Sequence, residues 1–149
     1  MNETFNINDV KFEIKPIVKS KFKKLQETGL EAELYFIENY NSIDLFKHGN
    51  LDDARLFGDG YDFQINVSND FYLAEIKGIR AEKGKFRLTE NEYKKALEYE
   101  DYYIVTLVLN LNNIPKFLTI ENPIKNLKFE EKIIKTKEIR EYHLVNAIC

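Results

Sequence analysis

Asp62, Glu75 and Lys77 put two carboxylates and an ammonium within reach of one point of a short β-hairpin. The runs GYDFQINV (60–67) and FYLAEIKG (71–78) read as strands, and Ser68-Asn69-Asp70 between them reads as a turn. Side chains alternate along a strand, so Glu75 and Lys77 share a face. Pairing of the two runs brings Asp62 level with Glu75. Two carboxylates can hold Mg²⁺ or Mn²⁺, since hard cations take oxygen ligands and Mg²⁺ keeps several waters. Such an ion acidifies a bound water and offsets charge on a phosphate, while Lys77 orients or polarises the nucleophile. That is the chemistry of phosphodiester cleavage.

A plainer reading competes, because a Glu and a Lys two residues apart on a strand are most often a solvated face. Two observations count against it. These polar residues interrupt an otherwise apolar strand, where burial without a partner is costly. Gly58, Gly60 and Gly78 bracket the trio and allow backbone to approach a ligand closely.

The elements that must position these groups follow from periodicity. VKFEIK (10–15) alternates like an edge strand before Pro16. Helical spacing runs through 17–26 and 29–40, with Leu30, Leu34, Ile37 and Tyr40 as the apolar stripe. Residues 44–59 read as loop with room for a short strand. The hairpin covers roughly 61–77, and a polar loop at 80–85 leads to Phe86-Arg87-Leu88. Thr89 and Glu92 have capping-box spacing for a helix reaching about Glu100. YYIVTLVL (102–109) is β-branched and aromatic, as in a buried central strand. A turn at 110–115, a strand at 116–120, a short helix at 123–127 and a strand at 139–145 complete the order. The class is α/β (α+β), a mixed sheet with helices packed on it.

The chain has 149 residues, 44% of them apolar and 13% aromatic, which suits one globular domain over 1–149. Its one cysteine, Cys149, excludes a disulfide framework and a cysteine-rich zinc site, and fits a cytoplasmic setting. No apolar run approaches the ~20 residues that span a bilayer, and MNETFNINDV lacks the pattern of a signal peptide. A net charge of −3 speaks against a general nucleic-acid coat protein. Charge is nonetheless concentrated: Lys19, Lys21, Lys23 and Lys24 form a basic stretch suited to a phosphate backbone, or to a solvated helix face. His48 and His143 are isolated and read as surface or packing residues.

Five motifs occur in a telling order: Gly29-Leu30-Glu31-Ala32-Glu33, Gly58-Asp59-Gly60-Tyr61-Asp62, Ala74-Glu75-Ile76-Lys77-Gly78, Phe86-Arg87-Leu88-Thr89-Glu90-Asn91-Glu92 and Tyr102-Tyr103. Together, over about 25–121, they resemble the NO VEIN C-terminal domain family. That domain of unknown function looks like a member of the PD-(D/E)XK nuclease superfamily and is similar to Mrr-like restriction endonucleases. The resemblance implies a restriction-endonuclease-like core, a central mixed sheet flanked by helices. It implies Asp62 and Glu75 as metal ligands, Lys77 as the catalytic lysine, and Glu33 directed at the same site from the first core helix. Relatives often carry Gly where Ala32 stands, and Ala also permits close packing. Glu33 borders the apolar stripe, where a carboxylate needs a partner such as a metal, a water or Lys77. Glu92 reads as the capping-box residue, and Asn91 as a residue that can face the cleft and touch nucleic acid.

Three functions compete. The first is a Mg²⁺- or Mn²⁺-dependent endonuclease acting on DNA rather than RNA, in restriction or defence. The second is a catalytically inactive nuclease-fold module that binds nucleic acid or a partner protein. The third is a structural domain with an incidental polar trio. Domains of this family are often fused to helicases or ATPases; no GxxxxGK[ST] phosphate loop occurs in this sequence, and a motor or specificity protein is one expected partner. A homodimer would supply two active sites for cutting both strands.

Overall fold

The computed structural model describes residues 21–134 and 139–148; the strand expected at 10–15 lies outside them. The elements are α1 (Lys21–Asn39), β1 (Asn50–Asp53), β2 (Phe63–Val67), β3 (Asp70–Gly78), β4 (Arg87–Thr89), α2 (Glu90–Tyr99), β5 (Tyr103–Leu109), β6 (Lys116–Glu121), α3 (Pro123–Asn126), β7 (Phe129–Ile134) and β8 (Ile139–Leu144).

The hairpin forms as its alternation and turn residues dictate, with Phe63 opposite Ala74 and Val67 opposite Asp70. It sits in a five-stranded sheet of order β1-β2-β3-β5-β6. Among the described strands, only β3 and β5 pair in parallel. A parallel pair needs a crossover, and α2 lies in it. Every residue of β5 is buried, because both faces of the sheet are covered there. On one face Ala32 and Phe36 of α1 pack against Phe63, Ile65, Ala74, Ile76, Ile104 and Val108. On the other, Leu73, Val105 and Leu107 pack with Leu88, Ala96 and Leu144. This is the expected mixed sheet with helices packed on it. Parity then decides where the chemistry goes. Ala74 and Ile76 face α1, so Glu75 and Lys77 face the other layer.

Helix α1 runs unbroken through Gly29, where two separate helical stretches were expected. Its buried face also differs from the expected stripe. Leu30 and Leu34 are 54% and 49% exposed, whereas Ala32 and Phe36 are fully buried. The reason lies in β3. A Cβ on Gly78 would stand 2.8 Å from the Ala32 Cβ and 2.9 Å from the Thr28 carbonyl. The helix crosses the sheet where both surfaces are smallest, and this turns the leucines outward.

A second sheet, β4-β8-β7, was not foreseen. Strand β4 has three residues, and β7 (FEEKII) is exposed along most of its length, so neither carries a strong alternating signal. The sheet packs against α2 through Tyr93, whose ring stacks on Tyr142 at 3.6 Å and meets Phe129 edge-on. It covers the face that bears Glu75 and Lys77.

Candidate active site

Strand β2 begins at Phe63, while β3 continues to Gly78. The last part of β3 therefore lacks a ladder partner on that side. Asp62 closes the gap. Its backbone N–H donates to the Ala74 carbonyl at 3.0 Å, and its Oδ2 accepts the Ile76 N–H at 2.8 Å. A side chain here finishes the work of a strand, and Asp62 is held level with Glu75 as the register requires. The preceding loop is fixed by its glycines. Gly60 has φ +91°, and a Cβ on it would lie 2.7 Å from the Asn91 carbonyl. The buried Tyr103 hydroxyl donates to the Gly60 carbonyl at 2.8 Å.

An open cavity of roughly 470 Å³ lies at this strand end. Glu33, Asp62, Glu75, Lys77 and Glu92 all line it, with Leu25, Thr28 and Gly29 on the α1 side and Lys85, Arg87, Thr89 and His143 on the second-sheet side. The structure thus brings together the four residues expected to carry the chemistry. Lys77 Nζ lies 3.2 Å from Glu75 Oε2 and 2.9 Å from Glu92 Oε1. Glu92 also closes the capping box expected of α2, with Oε1 accepting the Thr89 N–H at 3.0 Å. The capping assignment was correct but incomplete: Glu92 belongs to the site as well.

Glu33 reaches the cavity from α1, yet its direct partner is none of those expected. Arg55 Nη1 lies 3.0 Å from Glu33 Oε1, and Arg55 Nη2 lies 2.7 Å from Asp53 Oδ2. The Arg55 guanidinium also sits 5.2 Å over the Phe63 ring. Arg55 had been passed over as loop, since acid–Arg spacing in a polar stretch carries no distinctive signal. His143, read as isolated, lines the cavity because the unforeseen second sheet brings it there.

The basic stretch and Asn91 are less engaged. Lys19 lies outside the described residues, as do the side chains of Lys21 and Lys23. Lys24 is exposed on α1, next to the cavity-lining Leu25. Asn91 does not line the cavity; its Nδ2 donates to the Gly58 carbonyl and pins the loop to α2. The expected cleft-facing role gives way to this bond because residue 91 lies over the loop in the first turn of α2.

The electrostatics are those of an acid cluster short of positive charge. Burial pushes Asp62 up from 3.8 to about 7 against the Ile76 hydrogen bond, and the charges of Glu33 and Glu92 add to the rise. Glu75 is raised well above its ordinary value by burial, then by the Glu92 charge. Burial also acts to raise Glu92, but Lys77 outweighs it and holds that carboxylate lowered. The two neighbouring carboxyls thus shift in opposite directions, Glu75 up and Glu92 down. Burial would discharge Lys77, but Glu75 and Glu92 prevail and keep it protonated.

Asp62 and Glu75 form a pair of oxygen donors beside the cavity, both pushed toward protonation by their surroundings. Among the described residues no group of three or more His, Cys, Asp or Glu side chains could hold a metal ion. A pair of carboxylates would suit Mg²⁺ or Mn²⁺, which accept one or two protein carboxylates and keep waters. No helix among the described residues is long and apolar enough to cross a membrane.

Comparison with known proteins adds a family. The family model described as "Protein NO VEIN, C-terminal" matches residues 32–120, more than half of the chain. No curated protein matches. Among solved structures, a nuclease from a fusselovirus aligns with a TM-score of 0.44 at 12% identity, over 87% of this chain and 86% of that one.

Proposed function

This chain belongs to the NO VEIN C-terminal family, and from that premise we propose that it is a metal-dependent nuclease that hydrolyses phosphodiester bonds, DNA being the favoured substrate. The observation that carries the reading is the convergence of Glu33, Asp62, Glu75 and Lys77 on one open cavity. Asp62 and Glu75 would hold Mg²⁺ or Mn²⁺. When bound, such an ion would acidify a water and offset phosphate charge. Asp62 is pre-positioned for this by the Ile76 N–H, which engages Oδ2 and leaves Oδ1 for a ligand. Lys77 keeps its proton, so it acts as a donor that orients a phosphate oxygen or the attacking water, not as a base. Glu33, fixed by Arg55, supplies a further carboxylate at the wall. A role in restriction or defence, with a separate motor or specificity partner or as a homodimer, follows from the resemblance to Mrr-like enzymes.

A second reading has its own support. Lys77 is locked between Glu75 and Glu92, which hold its ammonium in ion pairs. This suits a catalytically inactive module that only binds nucleic acid or a protein. Incubation with plasmid, single-stranded DNA and RNA in Mg²⁺, Mn²⁺ or EDTA separates the two. We expect cleavage of DNA with metal and none with EDTA. Intact substrates under every condition would leave the inactive module.

A further inference from the structure

We propose that Lys85, Arg87 and His143, carried by the second sheet and its entry, form the wall that grips the phosphate backbone of a nucleic-acid strand entering the cavity. The proposal rests on the nuclease-fold reading, and concerns substrate holding rather than chemistry. A polyanion cannot approach Glu33, Asp62, Glu75 and Glu92 unless cations flank its path. On the α1 side, the described lining residues are Leu25, Thr28, Gly29 and Glu33, and none of these is a cation. Lys85 and Arg87 supply them on the other side, with the His143 ring beside them. Lys85, Arg87 and His143 all line the cavity.

The second sheet is built to present them. Arg87 is the registered partner of His143 across β4 and β8, and Thr89 of Glu141, so these four side chains share a face. Leu88 points the other way and is fully buried. Glu141 fixes both basic groups: its Oε2 lies 3.2 Å from Arg87 Nε and its Oε1 3.0 Å from His143 Nε2. Only Nε of Arg87 is taken by that pair, so its terminal nitrogens remain for a planar, two-point contact with phosphate. Lys85 is exposed beside them. The same face continues to Glu130 and Lys132 on β7, opposite His143 and Glu141.

The test measures binding without cleavage. Fluorescein-labelled 20-nucleotide DNA and RNA strands of one sequence, and the DNA duplex, are titrated with full-length protein in EDTA at several NaCl concentrations. Arg87→Gln and Lys85→Gln should each weaken binding about three- to tenfold and lower the salt slope by about one. Arg87→Lys should recover the slope, and Lys85→Gln, at an exposed position, carries the test if Arg87→Gln fails to fold. Lys116→Gln, on the outer strand β6, is the control for charge loss alone and should bind as wild type does. The probe that loses affinity identifies DNA or RNA as the ligand. Unchanged affinity and slope in Arg87→Gln and Lys85→Gln, an equal loss in Lys116→Gln, or no binding by wild type would overturn the wall. If plasmid is still cut while these variants bind normally, the wall falls and the nuclease reading survives. If nothing is cut but Arg87→Gln loses binding, the wall stands and catalysis falls.

Discussion

Asp62 carries opposing demands: its carboxylate completes the backbone ladder through Ile76, yet burial and neighbouring acids push it up to about 7 from 3.8. A folded-state value above the unfolded one means that the contribution to stability is full below about pH 4 and is lost as pH rises through about 7. Metal-free protein should therefore lose stability over that window. Asp62→Asn retains an oxygen for the Ile76 N–H and should remove this loss, so denaturant melts at pH 5 and pH 8 should differ less in the variant. Equal pH sensitivity of the two proteins would mean that Asp62 titrates normally. Lys77 poses a different problem. Removing it leaves the buried Glu75 and the half-buried Glu92 without their cation, and Lys77→Ala should cost about 3 kcal/mol in metal-free protein. Cleavage should vanish while Mn²⁺ still raises the melting temperature. Strand parity made Asp62, Glu75 and Lys77 readable from sequence alone. It could not show that Glu92 serves cap and lysine together, nor that Arg55 would hold Glu33, because both depend on contacts between distant segments.

Elements with strong local signals were legible: the hairpin, the capped α2 and the β-branched β5 stand close to their expected limits. The rest depended on packing. Nothing in the spacing of Leu30 and Leu34 reveals that Ala32 must meet Gly78, and nothing in β4 or β7 alone reveals that β8 will join them. Two substitutions probe how these elements serve the site. Gly78→Ala would drive a Cβ into the Ala32 Cβ and the Thr28 carbonyl, so α1 must shift. The cost should be about 1–3 kcal/mol, and because Glu33 and the Leu25–Gly29 wall ride on α1, the thermal response to Mn²⁺ should shrink too. A destabilised variant with an undiminished Mn²⁺ response would detach α1 from the metal site. Thr89→Ala is the contrasting case. It removes the hydroxyl that accepts the Glu92 N–H at 3.1 Å and should cost ~1 kcal/mol. The backbone N–H of residue 89 can still donate to Glu92, so the metal response should survive. A large loss of metal binding at unchanged stability would show the cap to be a ligand element.

On the scale of the molecule, the cavity is where one helix, the open end of a central sheet and a second small sheet meet, and its acids repel one another without a counter-ion. The fold tolerates this through Lys77 and through the paired Arg55, neither of which neutralises the whole cluster. A divalent ion that binds only the folded chain should convert that repulsion into stability. At 100 times its dissociation constant, Mg²⁺ or Mn²⁺ should stabilise the protein by about 2.7 kcal/mol. Glu75→Ala should abolish the shift, and since it also removes a carboxyl whose burial is costly, metal-free stability should hold or rise slightly. Thermal melts of wild type and Glu75→Ala, each with and without Mn²⁺, decide the matter. An equal metal response in both would mean that the carboxylates on this cavity are not a metal site, and the proposed hydrolysis would lose its chemical basis.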